Sequence, residues 1–418
     1  MILRYGYGAG EIPIKFPDGH PIEVLKPRAI PSAGDELEIV RRSVERPIGS
    51  ARLRDIAKPG RRVAIVTSDV TRPVPTAKLL PAVLRELEAA GVADRDVEVV
   101  FALGSHRPHT EAERRALIGE EAYGRVRCSD SDPGDCVRMG RTSRGTPVDV
   151  TRAIAEAGLR VLLGNIEYHY FAGYSGGMKA ILPGVSSREA IRINHARMIE
   201  PNAEAGRILG NPVREDIDES LAICPVSYIV NAILDERKRI VDCFAGDPIL
   251  AHRAGCERLD ELSSFPIHAP AELVVVGAGG KPKDMNLYQA QKALDNAARA
   301  VRPGGVILFV AECAEGFGEE TFERWMTGMA PEEMIREIGR DFVLGGHKAA
   351  AIELTLRKAS VFMIGALPDG ALKQAGILQI RDPSAAFERA RSRFGEGYRI
   401  LAMPWGGSTL PMLGSGIE

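Results

Sequence analysis

Residues 62 to 90 read RVAIVTSDVTRPVPTAKLLPAVLRELEAA, and this stretch contains one complete unit of an alternating α/β fold. It opens with the β-branched run Arg62 to Thr67 and continues through a polar segment that contains Pro73. It ends in Thr76 to Ala90, where apolar residues recur at helical spacing. A parallel strand needs a crossover connection, usually a helix, so this order favours a parallel sheet.

The same alternation of strands and helices recurs along the chain. Further strands are predicted at Val97 to Leu103, Val161 to Gly164, Leu273 to Gly277, Val306 to Ala311, Val361 to Ile364 and Ile400 to Met403, with a helix near Asn286 to Ala300. A proline-containing linker at 263–270 divides the series. We therefore predict two α/β domains with mainly parallel sheets flanked by helices, at residues 1–265 and 271–403, with the tail 404–418 returning to the first domain.

Polar side chains follow the predicted strands at the points where the strands end. Asp69 and Arg72 follow the first strand, and His106 and His109 follow the second. Ligands of open α/β sheets bind beyond the carboxyl ends of the strands, and ligand clefts favour domain boundaries. We expect an active site in the interdomain cleft, faced from the second domain by residues 281–292.

Composition excludes several classes of function. The net charge is −2 and the pI is near 6.5, which leaves no excess of basic residues for nucleic acid. The six cysteines include no Cys-x-x-Cys pair, which favours a reduced cytoplasm. No signal segment and no apolar run of about 18 residues is present. We expect a cytoplasmic protein that has no nucleic-acid or membrane partner.

Residues 165 to 198 read NIEYHYFAGYSGGMKAILPGVSSREAIRINHARM and hold the densest group of reactive side chains. His169, Lys179 and His195 surround the glycine-rich turn 172–177. Imidazole ligates metals or moves protons, a lysine amine can bond a cofactor covalently, and glycines let a backbone approach a ligand. Together they suggest a tethered cofactor, although each alone could be a core histidine, a solvated lysine or an ordinary turn.

Each of the other motifs also has a purely structural interpretation. Asp69 or Thr71 could cap a helix that begins at Pro73, and Thr110 with Glu113 could form a capping box. Arg72 could instead bind a substrate carboxylate. Tyr288 and Lys292 share a helical face that could simply be solvated. Four histidines lack clustered partners and are predicted to be structural: His20, His252, His268 and His347.

Taken together, the motifs resemble the lactate racemase family, whose members use a nickel-pincer nucleotide. The motifs are SDVTRP (68–73), GSHRP (104–108), IEYHYFAGYSGGMKAILPG (166–184) with Asn194-His195 downstream, and YQAQK (288–292). The resemblance extends from about Gly6 to the GGSTLP segment near the end of the chain. Tyr168 and the additional imidazole of His109 depart from the pattern we expect, and either could reshape the pocket.

The resemblance implies a role for each of several residues. Lys179 would carry the cofactor, pyridinium-3-thioamide-5-thiocarboxylic acid mononucleotide with nickel, through a thioamide, and His195 would complete the square-planar nickel set. His106 and His169 would be the acid/base pair. The remaining implied contacts are Asp69, Gly173, Ser175, Gly176 and Gly177 with the cofactor, and Arg72, Tyr288, Gln289 and Lys292 with the substrate.

The implied reaction is racemisation or epimerisation of a small 2-hydroxy carboxylic acid by reversible hydride transfer. The C2 proton of such an acid is a poor target, because the neighbouring carboxylate resists a carbanion. Hydride removal avoids the carbanion, and two histidines would serve the hydroxyls of the two enantiomers. The substrate stays open among lactate, longer aliphatic acids, malate and sugar acids. The alternatives are a zinc hydrolase with His106, His169 and His195 as ligands, and a non-catalytic nickel or cofactor carrier.

Overall fold

The computed structural model describes residues 1–26, 34–72, 74–104 and 106–413. Within them lie twenty strands: β1 (Ile2–Tyr7), β2 (Gly10–Lys15), β3 (Ile22–Val24), β4 (Val63–Ser68), β5 (Val97–Ala102), β6 (Arg127–Asp130), β7 (Cys136–Arg141), β8 (Pro147–Thr151), β9 (Leu159–Asn165), β10 (Tyr168–His169), β11 (Gly173–Tyr174), β12 (Tyr228–Leu234), β13 (Ile240–Gly246), β14 (Ser264–Ile267), β15 (Ala271–Gly277), β16 (Val301–Val310), β17 (Ala359–Ile364), β18 (Leu378–Gln379), β19 (Ile400–Met403) and β20 (Leu410–Leu413).

The same described ranges contain fourteen α-helices: α1 (Glu36–Glu45), α2 (Leu53–Ile56), α3 (Thr76–Ala89), α4 (Glu111–Ile118), α5 (Glu120–Arg125), α6 (Arg152–Ala155), α7 (Arg188–Ala196), α8 (Pro212–Ile223), α9 (Leu250–Ser263), α10 (Leu287–Ala300), α11 (Glu320–Gly328), α12 (Pro331–Arg340), α13 (Gly346–Lys358) and α14 (Ser384–Phe394). A short 3₁₀ helix at Gly177–Ala180 carries Lys179. None of the helices in these ranges combines the length and the apolar character needed to cross a bilayer.

The chain forms two compact units, each with its own α/β sheet, so the predicted fold class is confirmed. The inserted unit is Ile30–Leu262. The terminal unit combines Met1–Ala29 with Ser263–Glu418.

Both ends of the chain lie in the terminal unit, contrary to the domain boundaries we expected. Residues 1–29 were expected in the first domain, but β3 pairs with β19, and Tyr5 and Phe16 pack in the same core as Leu273. The tail was expected on the first domain as well. Instead β20 pairs with β14, and Asn296 donates a hydrogen bond to the carbonyl of Gly406. These strand pairings and buried apolar contacts are what hold the two ends in this unit.

The inserted unit contains a six-stranded sheet in the order β13-β12-β9-β4-β5-β6. All neighbouring strands are parallel except β13, which pairs antiparallel with β12. Strand β9 is buried along its whole length, as expected for a strand covered on both faces. The chain runs from β4 outward to β6 and then returns to place β9 on the other side of β4. The loops after β4 and β9 therefore meet at a topological switch point, where α/β proteins bind ligands.

The terminal unit contains a six-stranded sheet in which every pairing is parallel, in the order β18-β17-β16-β15-β19-β3. Strand β15 leads through residues 278–286 into α10. Asn286 caps this helix by accepting a hydrogen bond from the backbone N–H of Gln289.

Candidate active site

The loops after β4 and β5 bring Asp69 and His106 together. Oδ2 of Asp69 lies 2.7 Å from Nδ1 of His106, and the carboxylate also accepts from the hydroxyl of Thr71 at 2.9 Å. Burial acts to raise the pKa of Asp69, but the hydrogen bonds from His106 and Thr71 outweigh it and the net shift is downward. An ionised Asp69 accepts the Nδ1 proton of His106, which leaves Nε2 to receive a proton from a ligand.

The helix-cap interpretation of this loop is wrong, whereas that of the next loop is confirmed. Helix α3 begins at Thr76, beyond Asp69 and Thr71, which bond to one another instead. Thr110 and Glu113 form the expected capping box at the start of α4. Arg72, after β4, is exposed. Its position leaves the guanidinium available to a carboxylate.

His109 has a structural role, although it lies only three residues from His106. Its Nδ1 lies 2.7 Å from Oδ1 of Asp130, and its Nε2 accepts a hydrogen bond from the backbone N–H of Val70 at 3.0 Å. Both ring nitrogens are therefore occupied by the protein. The imidazole ties the loop after β4 to the strand β6.

The glycine-rich turn after β9 is held by three side chains that the sequence did not single out. The fully buried guanidinium of Arg214 donates to the carbonyls of Ala172 and Tyr174. Nε2 of His252 donates to the carbonyl of Ser175 at 2.8 Å, and Oδ1 of Asn231 accepts from the N–H of Gly177 at 2.8 Å. His252 was expected to be structural, and this contact agrees with that expectation. The turn is therefore a fixed element of the fold.

The same packing explains the residue types within the turn. Gly173 has a φ of 77°, and a Cβ there would overlap the carbonyl oxygen of Arg207. A Cβ at Gly176 or Gly177 would press on Asn231 or His252. The hydroxyl of Ser175 donates to the carbonyl of Asn165 at 2.7 Å and accepts from the N–H of Glu167 at 2.9 Å. The predicted cofactor contacts of these four turn residues stay predictions.

Lys179 follows the turn with no carboxylate at ion-pair distance in the described part of the chain. Burial, followed by the positive charges of Arg72 and Arg214, lowers the pKa of its amine to about 7, against a weaker opposing effect of Glu167. A large fraction of the amine is therefore neutral near pH 7. A neutral lysine amine is a nucleophile that can form a covalent bond to a cofactor.

His169 lies in the β10 strand, beside the ring of Phe171 at a centroid distance of 4.6 Å. Its pKa lies well below the usual value, because burial and then the charges of Lys179 and His195 oppose a further positive charge. Nδ1 accepts a hydrogen bond from the N–H of Ala172 at 3.3 Å. The neutral ring therefore carries its proton on Nε2, the tautomer opposite to that of His106.

His195, near the end of α7, is oriented by the residue before it. Its Nδ1 lies 3.1 Å from Oδ1 of Asn194, whose Nδ2 donates to Oδ2 of buried Asp216 at 2.8 Å. The amide is thereby fixed with its oxygen toward the imidazole. The contact at Nδ1 fixes the orientation of the ring, as is common among metal-binding histidines.

The histidines do not form a metal site by themselves. Within the described ranges, no three His, Cys, Asp or Glu side chains converge in a way that could hold an ion. The zinc alternative required His106, His169 and His195 to act as joint ligands. The positions of the donors contradict it.

The predicted substrate residues of the terminal unit lie in the first turns of α10. Tyr288 and Gln289 open the helix and Lys292 follows one turn after Tyr288, with its side chain exposed. The ring of Tyr288 meets the ring of Phe322 edge-on at 5.6 Å. This packing fixes the orientation of the tyrosine ring, which lies on the same face of α10 as Lys292.

Two family models match the chain. The lactate racemase N-terminal domain matches residues 7–206, and the lactate racemase C-terminal domain matches residues 267–410. The chain belongs to the lactate racemase family. The family identification, and with it the prediction of a racemase-type isomerase, is confirmed.

Curated relatives agree with this assignment of the family. The lactate racemase of Thermoanaerobacterium thermosaccharolyticum is 31% identical over 361 residues, which cover 84% of each chain. The lactate racemase of Lactiplantibacillus plantarum is 35% identical over 292 residues, which cover 69% of this chain and 68% of the relative.

Solved structures of two proteins share the fold. The lactate racemase apoprotein from T. thermosaccharolyticum superposes with a TM-score of 0.81 at 30% identity, covering 99% of this family member and all of that chain. A protein from Thermotoga maritima gives a TM-score of 0.59 at 18% identity over 91% of this chain and 99% of its own, and this match concerns the fold alone.

Proposed function

We propose that this family member racemises or epimerises a 2-hydroxy carboxylic acid, with a nickel-pincer nucleotide attached to Lys179. The observation that carries the proposal is the lysine itself. Its amine has a pKa lowered to about 7 and no carboxylate partner in the described residues, and it follows a turn held by buried side chains. A solvated surface lysine would keep a pKa near 10 and would gain nothing from that support.

The neighbouring residues fit the proposed cofactor. Lys179 supplies a neutral amine for the covalent link, and His195 supplies one imidazole whose Nδ1 is already committed to Asn194. When bound, the cofactor supplies a hydride acceptor for the C2 carbon of the substrate. A single protein imidazole suits a metal whose other ligands belong to the cofactor, and square-planar nitrogen sites suit Ni(II).

The two remaining histidines would handle the hydroxyl proton. His106 presents a free Nε2 lone pair, because Nδ1 donates to Asp69, and it accepts the hydroxyl proton of one enantiomer. His169 carries its proton on Nε2 and would donate a hydrogen bond from it to the substrate oxygen. To act as the base for the other enantiomer, His169 must move its proton to Nδ1, which costs it the hydrogen bond from Ala172.

Carboxylate binding would keep the substrate in place between the two hydride transfers. Arg72 offers a bidentate guanidinium, and Lys292 offers a second cation. Tyr288 and Gln289 would complete the substrate contacts. These assignments follow the family resemblance residue by residue.

The six cysteines are all free thiols, which supports the predicted cytoplasmic location.

The test is to produce the protein in a host that synthesises the cofactor and to measure intact mass, nickel content and optical rotation with each enantiomer of several 2-hydroxy acids. We expect a mass adduct on Lys179, about one nickel per chain and loss of rotation from either enantiomer. Unmodified Lys179 in an active preparation would overturn the proposed link. Lys179→Arg keeps a long basic side chain but removes the nucleophilic amine, and is expected to carry no adduct.

Variants of the two histidines distinguish the racemase from the second candidate, a non-catalytic cofactor carrier. His106→Gln and His169→Gln should each retain the adduct and nickel yet lose racemisation. If the loaded wild-type protein changes the rotation of no 2-hydroxy acid, the carrier is correct and the racemase proposal is wrong.

A further inference from the structure

A neutral amide, rather than a carboxylate, lies against Nδ1 of the proposed nickel ligand. Nδ1 of His195 is 3.1 Å from Oδ1 of Asn194. By contrast, Nδ1 of His106 and Nδ1 of His109 each lie 2.7 Å from a carboxylate oxygen. A carboxylate can accept a hydrogen bond at either oxygen, whereas an amide accepts at one end and donates at the other. The orientation of the Asn194 amide therefore decides which kind of atom faces the imidazole.

Asp216 fixes that orientation from the other end of the amide. Nδ2 of Asn194 donates to Oδ2 of Asp216 at 2.8 Å and to the carbonyl of Val213 at 3.3 Å. Both partners can only accept, and both side chains of the Asn194–Asp216 pair are fully buried. A reversed amide would bring three acceptor oxygens together without a donor, which is costly in a buried place. Oδ1 must therefore accept from Nδ1 of His195, so the neutral ring has its lone pair on Nε2.

The carboxylate of Asp216 is itself held by several contacts. The hydroxyl of Thr142 donates to Oδ1 at 2.5 Å, and that of Thr146 donates to Oδ2 at 2.6 Å. Nε of Arg197 lies 3.7 Å from Oδ2 and supplies a positive charge. The two threonines lie between β7 and β8, whereas Asp216 belongs to α8 and Asn194 to α7. Because a buried carboxylate is stable only when it is hydrogen-bonded or paired, these contacts make it a fixed acceptor for the amide.

We infer that the Asp216–Asn194 pair sets the tautomer of His195 and thereby the ability of the protein to hold nickel. This inference rests on the proposed function, because it takes His195 as the nickel ligand. Asp216 and Asn194 act through the imidazole and are therefore positioning residues. A metal needs the lone pair of the ring nitrogen that it binds, and a partner at the other nitrogen decides where that lone pair lies.

Nitrogen-15 NMR of the full-length, cofactor-free protein tests the tautomer directly. At about pH 8 an imidazole of ordinary pKa is neutral, and the spectrum identifies the ring nitrogen that carries the proton. His195→Gln assigns the signals of this residue among the eight histidines. We expect the proton on Nδ1 in the wild type. Asp216→Asn should give a mixture of tautomers, because an amide at position 216 can turn either its oxygen or its amine toward Asn194.

The nickel-loaded protein gives a second readout, the rate at which a chelator removes nickel, normalised to the mass adduct on Lys179. Asp216→Asn should lose nickel at least about tenfold faster than the wild type. Asn194→Leu, which is similar in size and removes the amide, should have the same effect, so the test does not depend on the folding of one variant. The matched control is Asp235→Asn. It changes a buried carboxylate that accepts from two backbone N–H groups of its own turn, and should lower Tm without changing nickel loss.

The possible outcomes separate this inference from the proposed function. A wild-type His195 with its proton on Nε2 would overturn the inference, as would unchanged tautomer and nickel loss in the Asp216 and Asn194 variants. Equally fast nickel loss in Asp235→Asn would also overturn it, because lowered stability alone would then explain the effect. In each of these cases the proposed function stands if the wild type carries the adduct and nickel. A wild type that binds no nickel would defeat the proposed function, even with the proton of His195 on Nδ1.

Discussion

Nδ1 of His106 lies 2.7 Å from Oδ2 of Asp69, and this contact joins an imidazole that is 34% exposed to a carboxylate that is 3% exposed. The buried partner fixes the orientation of the exposed one. The ring is held with its proton on Nδ1, and its Nε2 faces away from the carboxylate that holds it. A few residues further along the chain, His109 and Asp130 repeat the same 2.7 Å contact with no free nitrogen left over.

Asp69→Asn should lower kcat for both enantiomers by at least about tenfold, because the amide no longer fixes the Nδ1–H tautomer of His106. The matched control is Asp130→Asn, which changes the corresponding partner of His109. It should lower Tm but leave kcat per folded enzyme unchanged. Initial rates and thermal unfolding of the two variants measure both effects. Equal rate losses in the two variants would contradict a special role for Asp69.

Lys179 should make the stability of the cofactor-free protein depend on pH in an unusual direction. Its pKa is about 7 in the folded state and about 10.4 when unfolded, so the unfolded state binds more protons between these values. This group therefore makes the free energy of unfolding rise as pH increases from 7 to 10. Lys179→Met should be more stable than the wild type at pH 6, and the difference should shrink toward pH 10. Urea unfolding at several pH values checks this, and a constant difference would disprove the lowered pKa.

Arg214→Met should destabilise the inserted unit by about 2 to 6 kcal/mol, because it leaves the buried carbonyls of Ala172 and Tyr174 without the guanidinium donor. The control is Arg62→Met, whose side chain is 67% exposed in its pair with Glu156. We expect that change to cost at most about 1 kcal/mol. Urea unfolding of both variants gives the comparison. A similar small loss at Arg214 would mean that its contacts do not support the turn.

Gly173→Ala should cost roughly 2 to 5 kcal/mol, since it combines a positive φ with an overlap against the Arg207 carbonyl. Gly60 separates the two effects, because its φ of 74° is similar and no atom lies within 4 Å of the added Cβ. Gly60→Ala should cost only about 1 to 2 kcal/mol. Thermal or urea unfolding measures the difference. Equal costs would show that the backbone conformation alone demands glycine at position 173.

Much of the sheet architecture could be predicted because the central strands are buried on both faces. Such strands are largely apolar runs rich in Val, Ile and Leu, as at β4, β5 and β9, and the local sequence pattern identifies them. Strand β3 offers no such signal. It has three partly buried residues, and its partner β19 lies near the opposite end of the sequence. Its assignment depends on a tertiary pairing that no local periodicity encodes.

The site shows the same division between local and long-range information. The capping box of Thr110 and Glu113 is a local arrangement and was predicted correctly, whereas the bond of Asp69 to His106 joins two loops, so the cap interpretation of Asp69 failed. Arg214 was overlooked, because an arginine within an amphipathic helix ordinarily indicates a solvated face. Only the folded structure shows that its guanidinium donates hydrogen bonds to the backbone carbonyls of Ala172 and Tyr174 in the turn.

The pairing of β3 with β19 also constrains the order in which the chain can fold during synthesis. The ribosome releases the strand Ile22–Val24 early, but Ile400–Met403 emerges only after the whole inserted unit has been made. The inserted unit has all its sheet partners within its own span and can become native while the chain is still growing. Strand β3 must meanwhile wait without its partner, which exposes this segment to chaperones and to aggregation.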